Sequence, residues 1–290
     1  MTVFEFKVEI TPGAVPALEE LLAEQEEQHL MLLEDKPAGR AWLTGYYESR
    51  AEAEAGWSRF AGLVDAGWLM KAPLVSELAD KDWKESYKEH FKAWQFGCLH
   101  WVPVWEREVF CLPQGEQVLW LDPGMAFGTG NHETTRLVVE RLVKIAAKCG
   151  VSGRVIDAGC GSGILALSAL KLGYERVAAF DNDPLAVEVS RQNAELNGLA
   201  GGVDLYMGDL VTGFAGRQAE LVLANIQADV LIKFAPELLA AVAPGGMLVL
   251  SGILASELAQ VSQSFAELAP GCAQDSRVMG EWSDLVLTSA

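Results

Sequence analysis

A glycine-rich turn follows a short apolar run in the middle of the chain. Residues 155–158 read Val-Ile-Asp-Ala, typical of a buried strand, and the turn then supplies Gly159, Gly161 and Gly163 before a helical pattern begins. Such glycines let a ligand approach the backbone closely. A dinucleotide fingerprint would read G-x-G-x-x-G to bind pyrophosphate at the helix start, whereas this chain reads G-x-G-x-G. Because the carboxylate of Asp157 comes just before the turn, the pattern favours a cationic ligand over a phosphate.

Acidic residues also follow the next two apolar runs. Asp181 lies 22 residues after Gly159, close to the roughly 20 residues at which an acidic side chain accepts hydrogen bonds from a ribose in doubly wound folds. Asp209 follows the third run and is placed to accept a hydrogen bond from an adenine amino group. A glycine turn also occurs in α/β domains without a ligand, but that alternative leaves Asp181 unexplained. The residues therefore predict a site for S-adenosylmethionine, which carries a sulfonium and an ammonium group but no phosphate.

The pattern around these residues predicts the sheet that would hold them. Apolar runs alternate with helical patterns of roughly 10 to 15 residues, which indicates a parallel sheet with helices on both faces. The predicted strands are 155–158, 177–181, 203–207, 221–225 and 247–252, followed by two strands within 274–288 as an antiparallel hairpin. This alternation forms the larger domain of the chain.

The first part of the chain has a different pattern. The predicted elements are a strand at 3–10, a helix to about 28, a hairpin of 31–34 and 40–48, a helix from 49 to about 64 and a short strand near 68–70. This β-α-β-β-α-β order is the split form found in ferredoxin-like modules.

A charged segment separates the two patterns. Within 80–97, four aromatic residues at spacings of four, four and three predict one stripe of a connecting helix, namely Trp83, Tyr87, Phe91 and Trp94. Three β-rich pieces follow at 99–105, 108–112 and 117–121. The chain is thus predicted to consist of a small domain at 1–75, a helical linker at 76–97 and the larger domain at 98–290.

Composition excludes several classes of protein. With 290 residues, 50% hydrophobic and 21% charged, the chain can bury a core, so it is neither disordered nor a coiled coil. A net charge of −18 repels a nucleic-acid backbone and attracts a basic partner. We expect neither a signal peptide nor a membrane span, because the start is charged and no apolar run reaches about 18 residues. Five scattered cysteines without a C-x-x-C pair predict no metal site and no disulfide, as in the reducing cytoplasm.

Motifs from residue 80 to the end of the chain fit one known family. They are D-K-D-W at 80–83, W-V-P-V-W at 101–105, L-D-P-G-M-A-F-G-T-G at 121–130, H-E-T-T at 132–135, V-I-D-A-G-C-G-S-G-I-L at 155–165, D-N-D-P at 181–184, A-N-I at 224–226, P-G-G-M-L-V-L-S-G-I-L at 244–254 and E-W at 281–282. Together they resemble the PrmA-type ribosomal protein methyltransferases, which methylate large-subunit ribosomal protein eleven.

The resemblance implies a fold and a cofactor. The fold is a class I S-adenosylmethionine-dependent methyltransferase, a Rossmann-like α/β sheet of seven strands with the last antiparallel, linked to a small N-terminal α+β ferredoxin-like domain that recognises the substrate. Cofactor contacts fall on Thr135, Gly159, Asp181 and Asn225. The product is S-adenosylhomocysteine, and the resemblance also implies a monomer.

Asn225 is the residue that the resemblance places at the reacting amine. Methyl transfer to an amine is an in-line displacement, so the enzyme must hold a neutral amine about 3 Å from the methyl carbon. A lysine amine, with an ordinary pKa near ~10.4, must first lose its proton. An amide oxygen at Asn225 can orient the amine by accepting its hydrogen bond. The resemblance therefore implies a protein N-methyltransferase acting on lysine or N-terminal amines.

The chain also departs from the family pattern, which keeps other functions open. Gln227 replaces the leucine or similar apolar residue that usually follows at this position, and Asn131 and Glu133 replace threonine and proline in the T-G-T-H-P-T-T motif. One alternative is a methyltransferase for another protein or for a small-molecule amine. A second is a protein that binds S-adenosylmethionine without catalysis and uses its small domain as an interaction module.

Overall fold

The chain folds into two units, each with its own core. A computed structural model describes residues 3–24, 30–35, 39–47, 49–78, 92–122 and 132–289. Its contacts divide the chain into Met1–Glu89 and His90–Ala290. Within the described ranges, no helix is both long enough and apolar enough to cross a membrane.

The first unit is a four-stranded antiparallel sheet with two helices. Its elements are β1 (Val3–Ile10), α1 (Val15–Glu24), β2 (Leu30–Asp35), β3 (Arg40–Tyr47), α2 (Arg50–Ala61) and β4 (Leu74–Leu78). The strand order is β2-β3-β1-β4, and each neighbouring pair is antiparallel. The predicted β-α-β-β-α-β order and ferredoxin-like architecture are therefore confirmed.

Local sequence explains the elements of this unit. Alternate residues of β1 are buried, with Phe6 and Ile10 at 0% exposure, because one face of the sheet packs on the helices. Helix α2 begins after Ser49, whose hydroxyl accepts a hydrogen bond from the backbone N–H of Glu52 at 3.2 Å. This capping interaction fixes the start of the helix at the predicted residue.

The prediction of a strand near 68–70 was wrong. Residues Ala66–Trp68 form one turn of 3-10 helix, and Leu69 makes a single bridge to Ile10. The fourth strand instead forms at Leu74–Leu78. A single bridge does not make a strand. The apolar residues at 68–70 were therefore not enough to predict which segment pairs with β1.

The second unit opens with a small three-stranded sheet. It consists of β5 (Trp94–Phe96), β6 (Leu99–Pro103) and β7 (Gln117–Leu121). Two predictions were wrong here: Trp94 lies in a strand rather than at the end of a helix, and 108–112 is not a strand. Trp94 stacks on Trp101 of the paired strand at 4.1 Å between ring centroids, which favours the hairpin over a continued helix. The rest of the predicted linker helix, 80–91, lies outside the described residues.

The larger sheet of the second unit has seven strands. In chain order the elements are α3 (Glu133–Cys149), β8 (Arg154–Ala158), α4 (Ile164–Lys171), β9 (Arg176–Asp181), α5 (Pro184–Leu196), β10 (Val203–Met207), β11 (Ala219–Asn225), α6 (Ala228–Lys233), α7 (Ala235–Ala240), β12 (Val242–Leu254), α8 (Leu258–Leu268), β13 (Ala273–Met279) and β14 (Trp282–Thr288). The strand order is β10-β9-β8-β11-β12-β14-β13, and β14 is antiparallel to both of its neighbours. The class I methyltransferase fold with an antiparallel last strand is confirmed.

Apolar layers cover both faces of this sheet. One layer joins the sheet to α3, α4 and α5 and includes strands β6 and β7, and the other joins it to α6, α7 and α8. Trp101 of β6 is fully buried in the first layer, where its indole N–H donates to the Ser168 hydroxyl at 2.8 Å. The strand order reverses between β8 and β11, and open α/β sheets bind ligands at the carboxyl ends beside such a reversal.

A buried carboxylate joins α3 to the C-terminal hairpin. Asp284 of β14 is fully buried and accepts hydrogen bonds from Arg141 of α3 at 2.9 and 3.0 Å. The Nε and Nη2 atoms of Arg277 on β13 also donate to it, at 2.9 and 2.6 Å. Two cations around one carboxylate satisfy its oxygens away from water.

Replacing this carboxylate should destabilise the fold strongly. Asp284→Asn replaces the carboxylate shared by Arg141 and Arg277 with a neutral amide whose NH₂ group faces the two cations, so we expect a loss of about 3 kcal/mol in the free energy of unfolding. Asp204→Asn is the matched control, because Asp204 and Arg217 form an exposed pair whose loss should cost less than about 1 kcal/mol. Urea unfolding of both variants measures the difference, and equal midpoint shifts would contradict the assigned role.

Candidate cofactor and active site

The predicted site residues come together at the carboxyl ends of β8, β9 and β11. Two adjoining cavities lie there, of about 530 and 320 Å³. Both are lined by Gly159, Asp181, Asn182, Ile226 and Val230, so they form one continuous cleft. This cleft lies beside the point where the strand order reverses, which is where open α/β sheets bind ligands.

The glycine turn brings bare backbone to the wall of the cleft. Gly159 and Gly161 have φ angles of +75° and +53°, which side chains strongly disfavour. A Cβ atom on Gly159 would stand 2.8 Å from Cγ2 of Ile226, too close for any larger residue. The turn is held against β9 because the N–H groups of Gly159 and Cys160 both donate to the carbonyl of Phe180, at 2.9 and 3.0 Å.

Asp181 connects the turn to the end of β9. Its Oδ2 accepts the Gly161 N–H at 2.9 Å, and its Oδ1 accepts the Asp183 N–H at 3.0 Å. The carboxylate therefore holds a fixed orientation while lining both parts of the cleft. This orientation suits the acceptance of ribose hydroxyls.

Asp157 lies beneath the turn rather than on the cleft wall. It is fully buried, its Oδ2 accepts the Ala166 N–H at 3.0 Å at the start of α4, and its Oδ1 has no partner among the described residues. Burial, opposed by that hydrogen bond and reinforced by the negative charge of Asp181, raises the pKa of Asp157 to about 7. The linings of the two described cavities do not include it.

Asp209 lines the smaller part of the cleft and shapes a turn there. Its Oδ1 accepts hydrogen bonds from the Val211 N–H at 3.0 Å and from the Thr212 N–H and hydroxyl, both at 2.7 Å. These bonds, chiefly those from Thr212, lower the pKa of Asp209. Because Oδ1 is engaged in the turn, a bond to an adenine amino group would fall to the other oxygen, Oδ2.

Asn225 ends β11 at the wider part of the cleft. Its Nδ2 donates to the hydroxyls of Thr134 at 3.3 Å and Thr135 at 3.4 Å, both in the first turn of α3. Both threonines are buried, and His132 caps the same turn by accepting the Thr134 N–H. His132 is thus the N-cap residue of α3.

Several residues of the cleft were missed by the sequence reasoning. Ile226, Val230 and Trp282 supply apolar surface, and Trp282 packs against His132 with ring centroids 5.0 Å apart. Gly252 has a φ of +82°, and a Cβ there would overlap the backbone of Ile226. Ile226 could have been predicted because it directly follows Asn225 in the A-N-I motif. Trp282 lies at the cleft because β14 pairs with β12, which the sequence near Trp282 does not indicate. The segment 123–131, which includes Asn131, lies outside the described residues.

Cys160 is unsuited to act as a nucleophile. It is buried in the turn, and burial, together with the negative charge of Asp157, raises the pKa of its thiol above the usual range. Its Sγ lies 3.5 Å from the Ser190 hydroxyl. The residue therefore packs the turn.

These features fit a nucleoside ligand that carries positive charge. The glycine turn leaves space that a Cβ would fill, a fixed carboxylate lines both parts of the cleft, and a buried carboxyl with an unpartnered oxygen lies beneath the turn. A family model for "Ribosomal protein L11 methyltransferase (PrmA)" matches residues 10–289. This chain belongs to the PrmA family. It is therefore an S-adenosylmethionine-dependent methyltransferase.

Individual relatives agree with this family. The chain is 43% identical over 216 residues to the ribosomal protein L11 methyltransferase of Geobacter metallireducens. This match covers 74% of this chain and 68% of that protein. It is 35% identical over 280 residues to the one from Pseudomonas paraeruginosa, with 90% of each chain covered. The crystal structure of ribosomal protein L11 methylase from Lactobacillus delbrueckii subsp. bulgaricus matches at 29% identity with a TM-score of 0.59, covering 69% of this chain and all of that one. Because the second unit holds only His90–Ala290, a match over 90% of this PrmA chain must also include part of its first unit.

Removing the Asp181 carboxylate should weaken cofactor binding. Asp181→Ala loses both the acceptor for a ribose and the bond to Gly161, so we expect S-adenosylhomocysteine to bind about 10- to 100-fold more weakly, as for the loss of hydrogen bonds to a charged group. Isothermal titration calorimetry measures the affinity. Asp204→Ala, near the amino end of the neighbouring strand β10, is the control and should bind normally. Unchanged affinity in Asp181→Ala would refute the assignment.

The buried Asp157 should make stability depend on pH. Its native pKa of about 7 exceeds the value of about 4 in an unfolded chain, so between these values the native state holds a proton that the unfolded chain has released. Stability from this group is therefore lost as the pH rises from 4 to 7. We expect the free energy of unfolding of Asp157→Asn, relative to the unsubstituted protein, to increase over this range. Urea unfolding at several pH values tests this, and a constant difference would contradict it.

Proposed function

We propose that this enzyme methylates lysine or N-terminal amines of ribosomal protein L11. The observation that carries the proposal is the amide of Asn225, which lines the wider part of the cleft and donates hydrogen bonds from its nitrogen to two buried threonine hydroxyls. Its Oδ1 is then the amide atom left to accept a hydrogen bond from an amine. The related proteins from Geobacter and Pseudomonas are named for the same substrate.

The surroundings of Asn225 suit a neutral amine. Trp282, Ile226 and Val230 line this part of the cleft with apolar surface, and removal from water lowers the pKa of a lysine amine. When bound, S-adenosylmethionine supplies an electrophilic methyl group on its sulfonium. Asn225 then orients the amine lone pair toward that carbon.

We further propose how the cofactor is held. Gly159 and Gly161 present backbone to its methionine end, where Asn225 also lines the cleft. Thr135 is buried and is not among the residues that line the two described cavities, so it supports this end through its hydrogen bond with Asn225. Asp181 accepts from the ribose, and Asp209 from the adenine amino group. Asp157 supports the turn from beneath, where its negative form would favour a cation.

The first unit is proposed to recognise the substrate protein. The predicted division is 1–75, 76–97 and 98–290, but β4 extends the first unit to Leu78 and β5 of the second unit begins at Trp94. We assign substrate recognition to the first unit and catalysis to the second. A net charge of −18 attracts basic proteins and disfavours direct contact with nucleic acid. We propose that the enzyme acts as a monomer in the cytoplasm, in keeping with five free cysteines in the described structure.

A second acceptor is favoured by one observation. Gln227 is exposed and lines the cleft next to Asn225 and Ile226, where the PrmA pattern has an apolar residue. A polar amide there would suit a substrate with a hydrogen-bonding group beside its amine. Another protein or a small-molecule amine is therefore the alternative acceptor.

Intact-mass measurement distinguishes these acceptors. Purified enzyme and S-adenosylmethionine should add methyl groups to unmodified L11, and Asn225→Ala should slow the addition about 100-fold or more because the amine loses its orientation. Calorimetry with S-adenosylhomocysteine is the control, since Asn225→Ala keeps Asp181 and should lose far less cofactor affinity than methylation rate. No mass gain on L11 by an enzyme that binds cofactor would reject this substrate and favour the alternative.

A further inference from the structure

A chain of hydrogen bonds runs from the first turn of α3 to the catalytic amide. His132 Nδ1 accepts the Thr134 backbone N–H at 3.4 Å and lies 2.9 Å from the Thr134 hydroxyl. The same hydroxyl lies 3.3 Å from Nδ2 of Asn225. Thr134 therefore touches both the capping histidine and the residue assigned to the amine.

The chemistry of these atoms fixes the direction of the chain. A ring nitrogen that accepts a backbone N–H carries a lone pair and no hydrogen, so Nδ1 of His132 cannot donate. The Thr134 hydroxyl must then be the donor to His132, which leaves its oxygen as an acceptor. That acceptor binds the NH₂ group of Asn225 and rejects its carbonyl oxygen.

We propose that Thr134 is a positioning residue that sets which end of the Asn225 amide faces the substrate. The two ends of an amide have nearly the same shape, so packing alone does not choose between them. With Nδ2 held by Thr134, Oδ1 is presented to the cleft, where it accepts a hydrogen bond from the attacking amine. The reverse orientation would present NH₂ to the amine lone pair and compete with its attack on the methyl carbon. This inference rests on the proposed amine methylation.

The surroundings of Thr134 preserve this direction. The residue is only 2% exposed although it borders the cleft, so water has little access to the hydroxyl. The imidazole of His132 is packed edge-on against Trp282 at the start of β14. Thr135 also accepts from Asn225, at 3.4 Å, but the contact to His132 that sets the direction is made by Thr134.

Two pairs of variants test the direction of the chain. Thr134→Val keeps the shape and removes the hydroxyl, and Thr134→Ser keeps the hydroxyl. Likewise, His132→Phe keeps a ring against Trp282 without an acceptor, whereas His132→Asn supplies an oxygen near the position of Nδ1. We expect Thr134→Val and His132→Phe to lower kcat for L11 methylation about 10-fold or more. The KM for S-adenosylmethionine should change less than about twofold, and Thr134→Ser and His132→Asn should recover most of kcat.

A second readout follows the amide itself. The side-chain NH₂ cross-peaks of Asn225 in ¹H–¹⁵N spectra, identified by their loss in Asn225→Asp, should shift in Thr134→Val and return toward their original positions in Thr134→Ser. This measurement needs no substrate, so it still decides the orientation if L11 proves not to be the acceptor. Unchanged cross-peaks together with unchanged kcat in Thr134→Val would overturn the proposal. If Thr134→Val does not fold, the His132 pair supplies the same comparison with the same two outcomes.

Discussion

The fold of the second unit depends on the close approach of the glycine turn to the ends of the two strands that flank β8. The backbone of Gly159 lies against the end of β9 and against Ile226 at the end of β11, with space for no side chain larger than hydrogen. Because β8 lies between these strands at the order reversal, the turn can meet both at once. The carboxylate of Asp181 then secures Gly161 with a charged hydrogen bond.

Polar groups in this PrmA protein are fixed by their partners before any ligand arrives. Asp181 is held by two backbone N–H groups, and Asn225 by two hydroxyls from α3. The same helix is joined to β14 through the buried carboxylate of Asp284. Helix α3 thus positions the amide at one end and is anchored to the sheet along its length, so stability and site geometry share one set of contacts. Such preorganisation reduces the reorganisation needed when reacting groups meet.

Sequence patterns identified the long regular elements better than the short irregular ones. The strands around Asp157 and Asp181 were found because buried parallel strands are continuous apolar runs bounded by glycine or acidic residues. The predictions of strands at 68–70 and 108–112 were wrong because short apolar stretches also occur in turns. Whether such a stretch forms a strand depends on whether a pairing partner lies beside it. Trp94 fitted a helical stripe by spacing, yet stacking on Trp101 places it in a hairpin.

The sequence by itself determined the α/β fold class, the glycine turn and the cofactor type, because these rest on local spacing and side-chain chemistry. It also predicted Asp181 from its spacing to the turn and Asn225 from the family resemblance. Only the tertiary structure decided that Asp157 lies beneath the turn, where burial raises its pKa to about 7. It also decided that Trp282 and Thr134 meet at the same cleft as Asn225. The reason is physical: burial and hydrogen-bond direction depend on neighbours that are distant along the chain, and sheet order alone brings those neighbours together.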